Sequence, residues 1–193
     1  MPLHEFFGIM SGVCALASTP AYVLSMVYGE TRPSVISQLL WMLYAVLIVF
    51  AQYEAAGFSW SMALAAAIAI DNAIILIFCA FGYGYYKHTT YDMLSGVIAF
   101  VGAALWFLSS NPGYAVIFGV SASFCAGIPT YTKTWKFPES EGVIGWCILW
   151  ISSLFTLFAI ETISVTALAF PVFQILESSF VILLSVRAQK NDI

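Results

Sequence analysis

The chain has 193 residues, of which 62% are hydrophobic, including 17% that are aromatic, and its formal net charge is −4. Only 8% of the residues are charged, whereas roughly a quarter are charged in soluble domains, so the composition excludes a soluble globular protein and predicts an integral membrane protein. The six basic residues of the whole chain are too few for a nucleic-acid-binding face, and we expect membrane lipid to surround most of its surface.

Seven stretches of the sequence are long and apolar enough to cross a membrane. A helix needs about 20 apolar residues to span a hydrocarbon core of roughly 30 Å. Between turn signals such as "SSNPGY", the apolar runs cover about residues 6–28, 34–52, 60–82, 92–110, 113–131, 142–160 and 163–186. We therefore predict an all-α membrane protein with seven transmembrane helices.

Basic residues are confined to one side of this predicted topology. They fall in the loops after the first, third and fifth spans and in the tail, as Arg32, Lys87, Lys133, Lys136, Arg187 and Lys190. The positive-inside rule makes this side cytoplasmic and the N-terminus external. Glu5, Glu54 and Glu161 fall on the external side. One missed or false span would scatter the basic residues over both sides, so their segregation supports the count of seven.

An internal repeat predicts how the seven spans are organised. Aligning the chain with itself places residues of spans one and two on residues of spans five and six in the same order, namely Pro20 on Pro129, Tyr22 on Tyr131 and Trp41 on Trp150. Shortening the next loop by three residues places Asp71-Asn72 of the third span on Glu177-Ser178 of the seventh. Repeats of this kind are common in transporters.

The repeat predicts two three-helix bundles joined by a linker helix. The first bundle covers residues 1–90, the linker helix covers residues 91–112, and the second bundle with a short cytoplasmic tail covers residues 113–193. Because three is an odd number of spans, the single linker helix restores the same orientation to both bundles.

The two halves of the repeat each contain a stretch that resembles a degenerate PQ-loop motif, "PAYVLSMVYGETRPSVIS" at 20–37 and "PTYTKTWKFPESEGVIGW" at 129–146. With the external N-terminus and the three-one-three plan, the chain is similar to the SWEET and PQ-loop transporter superfamily. The glutamine of the family motif is replaced by Ala21 and Thr130. The chain also resembles uncharacterised bacterial multi-pass membrane proteins, which implies the bacterial cytoplasmic membrane as its location.

This resemblance implies roles for particular residues. The prolines Pro20 and Pro129 would be paired hinges, and the pairs Asp71-Asn72 and Glu177-Ser178 would form the substrate site. Independently, a proline inside a helix removes a backbone hydrogen bond and crowds the preceding turn, so both prolines should loosen their spans. Prolines are also simply common in membrane helices, and this alternative stays open.

The two acids within predicted spans carry the functional hypothesis. A carboxylate at the bilayer centre costs about 2.5 to 3.5 kcal/mol on insertion scales, and no basic residue lies within any predicted span. Asp71 and Glu177 must therefore either hold a proton or face a wet cavity and meet a cation. A carboxylate that exchanges protons could couple proton flow to a solute, and a charged one could bind a cationic solute or Na⁺.

Neighbouring polar and aromatic residues complete the predicted site. Asn72, Gln174 and Ser178 could bind a polar solute, or could hold neutral acids as hydrogen-bonded structural partners across the bundle. The aromatic residues Trp41, Tyr44 and Trp150 could stack on a sugar or a flat ring, or could serve packing alone.

Motifs for other kinds of function are missing from the sequence. The four cysteines form no Cys-x-x-Cys pair, so we expect neither a metal site nor a cofactor, and no catalytic motif is present. The sequence therefore predicts a secondary transporter or facilitator of a small polar solute that works by alternating access. A heptahelical ligand-binding sensor without transport is the main alternative, and a membrane enzyme or assembly scaffold is a third.

Overall fold

The computed structural model describes residues 1–84 and 90–187, and over these ranges the protein is all-α. Its seven helices are α1 (Leu3–Val27), α2 (Val35–Ala56), α3 (Ala63–Phe78), α4 (Thr90–Ser109), α5 (Pro112–Lys136), α6 (Val143–Ala159) and α7 (Val165–Val186). Six helical segments are long and apolar enough to span a membrane, and α6, with 17 residues, is a shorter apolar helix. The predicted all-α class and the seven helices are confirmed, and the chain is an integral membrane protein.

Short polar turns separate the helices. The side chain of Ser34 accepts a hydrogen bond from the backbone N–H of Ser37 at the start of α2, and Asn111 caps α5 in a similar way. The helix α3 is lengthened by a 3₁₀ turn, Trp60–Met62, before it and a π turn, Cys79–Tyr83, after it. Gly82 has a φ of 97°, a backbone conformation that favours glycine, and this residue ends the third span.

The largest difference from the predicted boundaries is at the end of α5. This helix was expected to end near residue 131 but continues to Lys136. Lys133 and Lys136 therefore lie in its last turn and not in a loop. Cations at this position are stabilised by the C-terminal end of the helix. Lys87, Lys190 and the tail after Arg187 lie outside the described residues.

Six helices form a ring, and the same packing occurs twice. In the first half α3 lies between α1 and α2, and in the second half α7 lies between α5 and α6. The halves meet where α1 packs along α6 and α2 packs along α5. The helix α4 lies outside the ring, mainly against α5. The centre of the ring is therefore bounded by both halves, although the domain limits predicted above stay a prediction.

The two ends of the ring differ in charge. One end, called here the basic end, holds Lys133 and Lys136 together with Arg187, whose guanidinium donates to the carbonyl of Trp135 at 3.0 Å. The opposite end holds Glu161, which lies 3.3 Å from His4.

Apolar side chains close the ring towards the opposite end. The apolar plug consists of buried side chains from four helices, chiefly Ala15, Ile48, Leu64 and Phe170. Beyond it the Gln52 side-chain amide donates to the carbonyl of Thr166 at 3.0 Å and so ties α2 to α7. Apolar packing and this hydrogen bond therefore lie between the centre of the ring and the opposite end.

Candidate functional site

A central cavity of about 60 Å³ lies inside the ring, between the apolar plug and the basic end. Every helix of the ring contributes to its wall, and α4 does not. The volume is enough for roughly four to six water molecules. Its polar and aromatic lining side chains are Ser18, Tyr22, Gln38, Trp41, Asp71, Asn72, Ser123, Trp146, Phe170, Phe173, Gln174 and Glu177.

Asp71 lies on α3 with its side chain in the wall of this cavity, and the residue is only 7% exposed. Its Oδ1 atom has no hydrogen-bond partner among the described residues. The hydroxyl of Thr19 is its neighbour on α1 but also lacks a hydrogen-bonded partner in this part of the chain. The lining includes no Lys, Arg or His from the described ranges. Asp71 thus places a carboxyl group in the cavity wall without a basic partner among the described residues.

The second acid, Glu177, lies on α7 and has a fixed partner. The hydroxyl of Tyr131 on α5 donates a hydrogen bond to Glu177 Oε1. Gly127, one turn earlier on α5, makes room for this contact, because a Cβ atom there would collide with the Tyr131 hydroxyl and lie 3.0 Å from Glu177 Oε1. Tyr131 therefore orients Glu177, and the two acids have different surroundings.

The predicted amide and hydroxyl residues divide between the cavity and its surroundings. Asn72 lines the cavity while its amide donates to the carbonyl of Ile68 at 2.8 Å. Gln174 lines it as well, and its amide lies 3.5 Å from the hydroxyl of Ser178. Ser178 is buried behind Gln174 and does not reach the cavity. In both lining amides one N–H is directed to the protein.

Of the three predicted aromatic residues, only Trp41 lines the cavity. Its indole N–H donates to the carbonyl of Ser123 at 3.1 Å. The indole N–H of Trp150 instead donates to the hydroxyl of Ser179 at 2.9 Å, behind the wall. Tyr44 is 2% exposed and packs between α2 and α5. Three residues place Tyr44 on roughly the same face of α2 as Trp41, but its side chain packs on Ala122 and Ala126 of α5.

Several lining residues were not predicted. The tryptophan of the second half in the wall is Trp146, one turn before Trp150. The cavity wall also includes Ser18, Gln38 and Ser123. Each is a polar residue inside an otherwise apolar helix, and this feature of the sequence could have identified it as a lining residue. Tyr131, which holds Glu177, was present in the repeat alignment as the partner of Tyr22 but was given no role there.

The structure corrects the register of the repeat in the third helix of each half. Helices α3 and α7 contribute lining positions with the same helical spacing, Ile68, Asp71, Asn72 and Ile75 from α3 and Phe170, Phe173, Gln174 and Glu177 from α7. Matching these positions in order pairs Asn72 with Gln174 and places Glu177 opposite Ile75, so the two acids do not occupy equivalent positions. Asp71 lies about one turn nearer the apolar plug than Glu177. The repeat therefore holds for the helix faces that line the cavity and does not hold for the two acids.

The predicted hinge prolines lie inside continuous helices. Pro20 is in α1, next to Thr19, and its side chain is exposed on the outside of the bundle. Pro129 is in α5, two residues before Tyr131. Pro20 is thus adjacent to the neighbour of Asp71, and Pro129 lies close to the partner of Glu177. A hinge role for either proline stays a prediction.

A charged network lies near the basic end of the ring. The Lys133 ammonium at the end of α5 lies 2.5 Å from Glu141 Oε1, and the Glu141 side chain is 1% exposed. The indole N–H of Trp146 donates to the other oxygen of Glu141 at 3.3 Å. The hydroxyl of Thr31, in the first half, reaches the carbonyl of Ser140 at 3.5 Å. The network therefore links the loop between α5 and α6 to the cavity wall.

We expect Gly127→Ala to destabilise the protein by about 1 to 3 kcal/mol, because the added methyl group displaces Tyr131 from Glu177. The thermal unfolding midpoint of the purified protein measures this effect. Gly96→Ala is the matched control, since Gly96 also lies within a helix and has nothing within 4 Å of an added Cβ. We expect the control to be neutral or stabilising. Equal midpoints for the two variants would contradict the close packing proposed at Gly127.

The chemistry of the site follows from these contacts. It is a small, partly open cavity at the interface of the two halves, with mainly apolar walls, one carboxyl group without a described basic partner and one held by a tyrosine. Such a cavity can bind a small solute and exchange protons, and it is closed at one end by apolar packing. Comparisons of the chain with protein-family models, with curated proteins and with solved structures found no match.

Proposed function

We propose that this protein is a secondary transporter of a small polar solute that works by alternating access, with protons exchanged at the intramembrane carboxyl groups. The observation that carries the proposal is the position of the cavity. It lies at the interface of two similarly packed three-helix sets and contains Asp71 and Glu177 without a described basic partner. Intramembrane ionisable residues that face a cavity typically mark a transport pathway.

The closures at the two ends support the same proposal. Towards the opposite end, apolar side chains fill the ring, and near the basic end the barrier is made of an ion pair and hydrogen bonds. Rocking of the two halves about the cavity would open one barrier while the other stays closed. The resemblance to the SWEET and PQ-loop superfamily supports this mode of action. In this proposal the basic end is cytoplasmic, the N-terminus is external, and the membrane is the bacterial cytoplasmic membrane.

The two acids have different proposed tasks. Asp71, in the cavity wall without a described basic partner, is the proposed site of solute binding. Glu177, oriented by Tyr131 and neighboured by Gln174, is the proposed site of proton exchange, because a carboxyl group in a small cavity that opens alternately to two aqueous phases can take up a proton on one side and release it on the other.

Uptake into proteoliposomes tests the proposal. The panel comprises sugars, amino acids, organic cations and vitamins, and each solute is tested at two external pH values. We expect flux of at least one solute, with a rate that depends on pH in the wild type. In Glu177→Gln we expect the protein to fold and the pH dependence to disappear, because the amide cannot exchange a proton. Tyr131→Phe, which removes only the donor to Glu177, should shift the pH dependence without removing it.

Two results would overturn the proposal. Stabilisation of the protein by a solute without flux of any member of the panel would support a ligand-binding sensor. Unfolding of Asp71→Asn and Glu177→Gln together, with no effect of any solute on the wild type, would support carboxyl groups that serve structure alone.

A further inference from the structure

We propose that the solute is a small organic cation whose positively charged nitrogen carries N–H donors, such as a protonated amine or a guanidinium group. This inference rests on the proposed function and specifies the substrate class of the same cavity. It is drawn from the charge and the aromatic rings of the cavity wall.

The wall of the cavity contains a carboxyl group with no cation beside it. Asp71 lines the cavity and is 7% exposed. Its hydroxyl neighbour on α1 is Thr19, and the described lining includes no Lys, Arg or His. A buried charge without an opposite charge is costly, so a solute that brings a positive charge stabilises the complex.

Four lining residues each direct one side-chain N–H to an oxygen of the protein. They are Trp41, Asn72, Trp146 and Gln174. An indole has no further N–H, whereas each amide keeps a second one. The two tryptophans therefore offer a solute their ring faces and no hydrogen-bond donor.

The aromatic walls favour the same class of solute. The indole N–H groups of Trp41 and Trp146 are engaged with Ser123 and Glu141, so the two rings present their carbon surfaces to the cavity. An organic cation near such a surface gains about 0.5 to 2 kcal/mol. With Asp71 charged and no basic residue in the described lining, the solute supplies the missing positive charge.

A solute of a few heavy atoms matches the cavity volume of about 60 Å³. A bare Na⁺ ion would also bind to oxygen atoms, but it would gain less from two indole walls than an organic cation does. The charge and the walls together therefore favour a small organic cation.

Guanidinium and urea form the decisive pair of probes, because they have nearly the same shape and differ in charge. Currents and uptake are recorded on proteoliposomes with guanidinium, methylammonium, tetramethylammonium, urea and Na⁺ alone. We expect guanidinium and methylammonium to be transported and urea to be transported at least 30-fold more slowly. Tetramethylammonium, which lacks N–H donors, should compete poorly with guanidinium.

The outcomes separate this inference from the proposed function. Flux of urea, a sugar or a neutral amino acid without flux of guanidinium or methylammonium would overturn the inference and leave the transporter proposal standing. Currents with Na⁺ alone that equal those with guanidinium would also overturn the inference. Flux of no solute at all would overturn the proposed function itself.

Discussion

We expect Asp71→Asn to lower the rate of solute uptake about 30- to 150-fold while the protein stays folded. Removing one member of a buried charge pair between protein and ligand costs about 2 to 3 kcal/mol or more, which corresponds to this factor. The amide has nearly the same shape as the carboxylate, so the cavity keeps its size. Uptake into proteoliposomes at a fixed pH measures the effect.

The stability of the same variant distinguishes a functional acid from a structural one. Asp71 Oδ1 has no described partner to lose, and burial of the acid is costly, so Asp71→Asn should have an equal or higher unfolding midpoint. Asp92→Asn is the control, because Asp92 is a buried acid at the start of α4 and does not line the cavity. Uptake by the control should be close to that of the wild type. A lower midpoint with unchanged uptake in Asp71→Asn would contradict the assignment.

We expect Lys133→Met to destabilise the protein by about 2 to 3 kcal/mol. The substitution leaves the carboxylate of Glu141, 1% exposed, with only the indole of Trp146 as a described hydrogen-bond donor. Breaking a buried ion pair from one side costs about 3 to 5 kcal/mol, and the partial exposure of Lys133 lowers the effect. The unfolding midpoint should fall by about 5 to 10 °C.

Two further variants control for this prediction. Lys136→Met removes an exposed cation from the same helical turn and should change stability by at most about 0.5 kcal/mol. The double variant Lys133→Met with Glu141→Gln should recover most of the lost stability, because no unpaired charge stays buried and the amide oxygen still accepts from Trp146. If Lys133→Met and Lys136→Met have the same midpoint, the ion pair does not hold the basic end closed.

The helices could be predicted from the sequence because membrane spanning is a matter of length and hydropathy. All seven predicted spans begin within three residues of the observed helices or their leading turn, and the largest difference is at the end of α5. The carboxyl groups could also be placed inside the bundle, since an acid in an apolar run has few stable alternatives. These features depend on local composition, which the sequence carries directly.

The details of the cavity depend on helix rotation and depth, which composition does not specify. The repeat pointed to Trp150, whereas Trp146, one helical turn of about 5.4 Å away, is the tryptophan of α6 that lines the cavity. The pair formed by Tyr131 and Glu177 joins two helices that are distant in sequence. This contact also needs the space that Gly127 leaves, and such a requirement cannot be read from the sequence of one helix.

Access to the cavity from the two sides of the membrane tests the central claim most directly. Ser123 lines the cavity, and Ser121 lies exposed on the outer face of the same helix. Ser123→Cys and Ser121→Cys are made in a background whose four native cysteines are replaced, and a charged thiol reagent is applied to right-side-out and to inverted vesicles. Alternating access predicts that Ser123→Cys reacts from both sides, that guanidinium slows the reaction, and that Ser121→Cys, facing lipid, reacts from neither. Reaction of Ser123→Cys from one side only, with and without guanidinium, would contradict transport through this cavity.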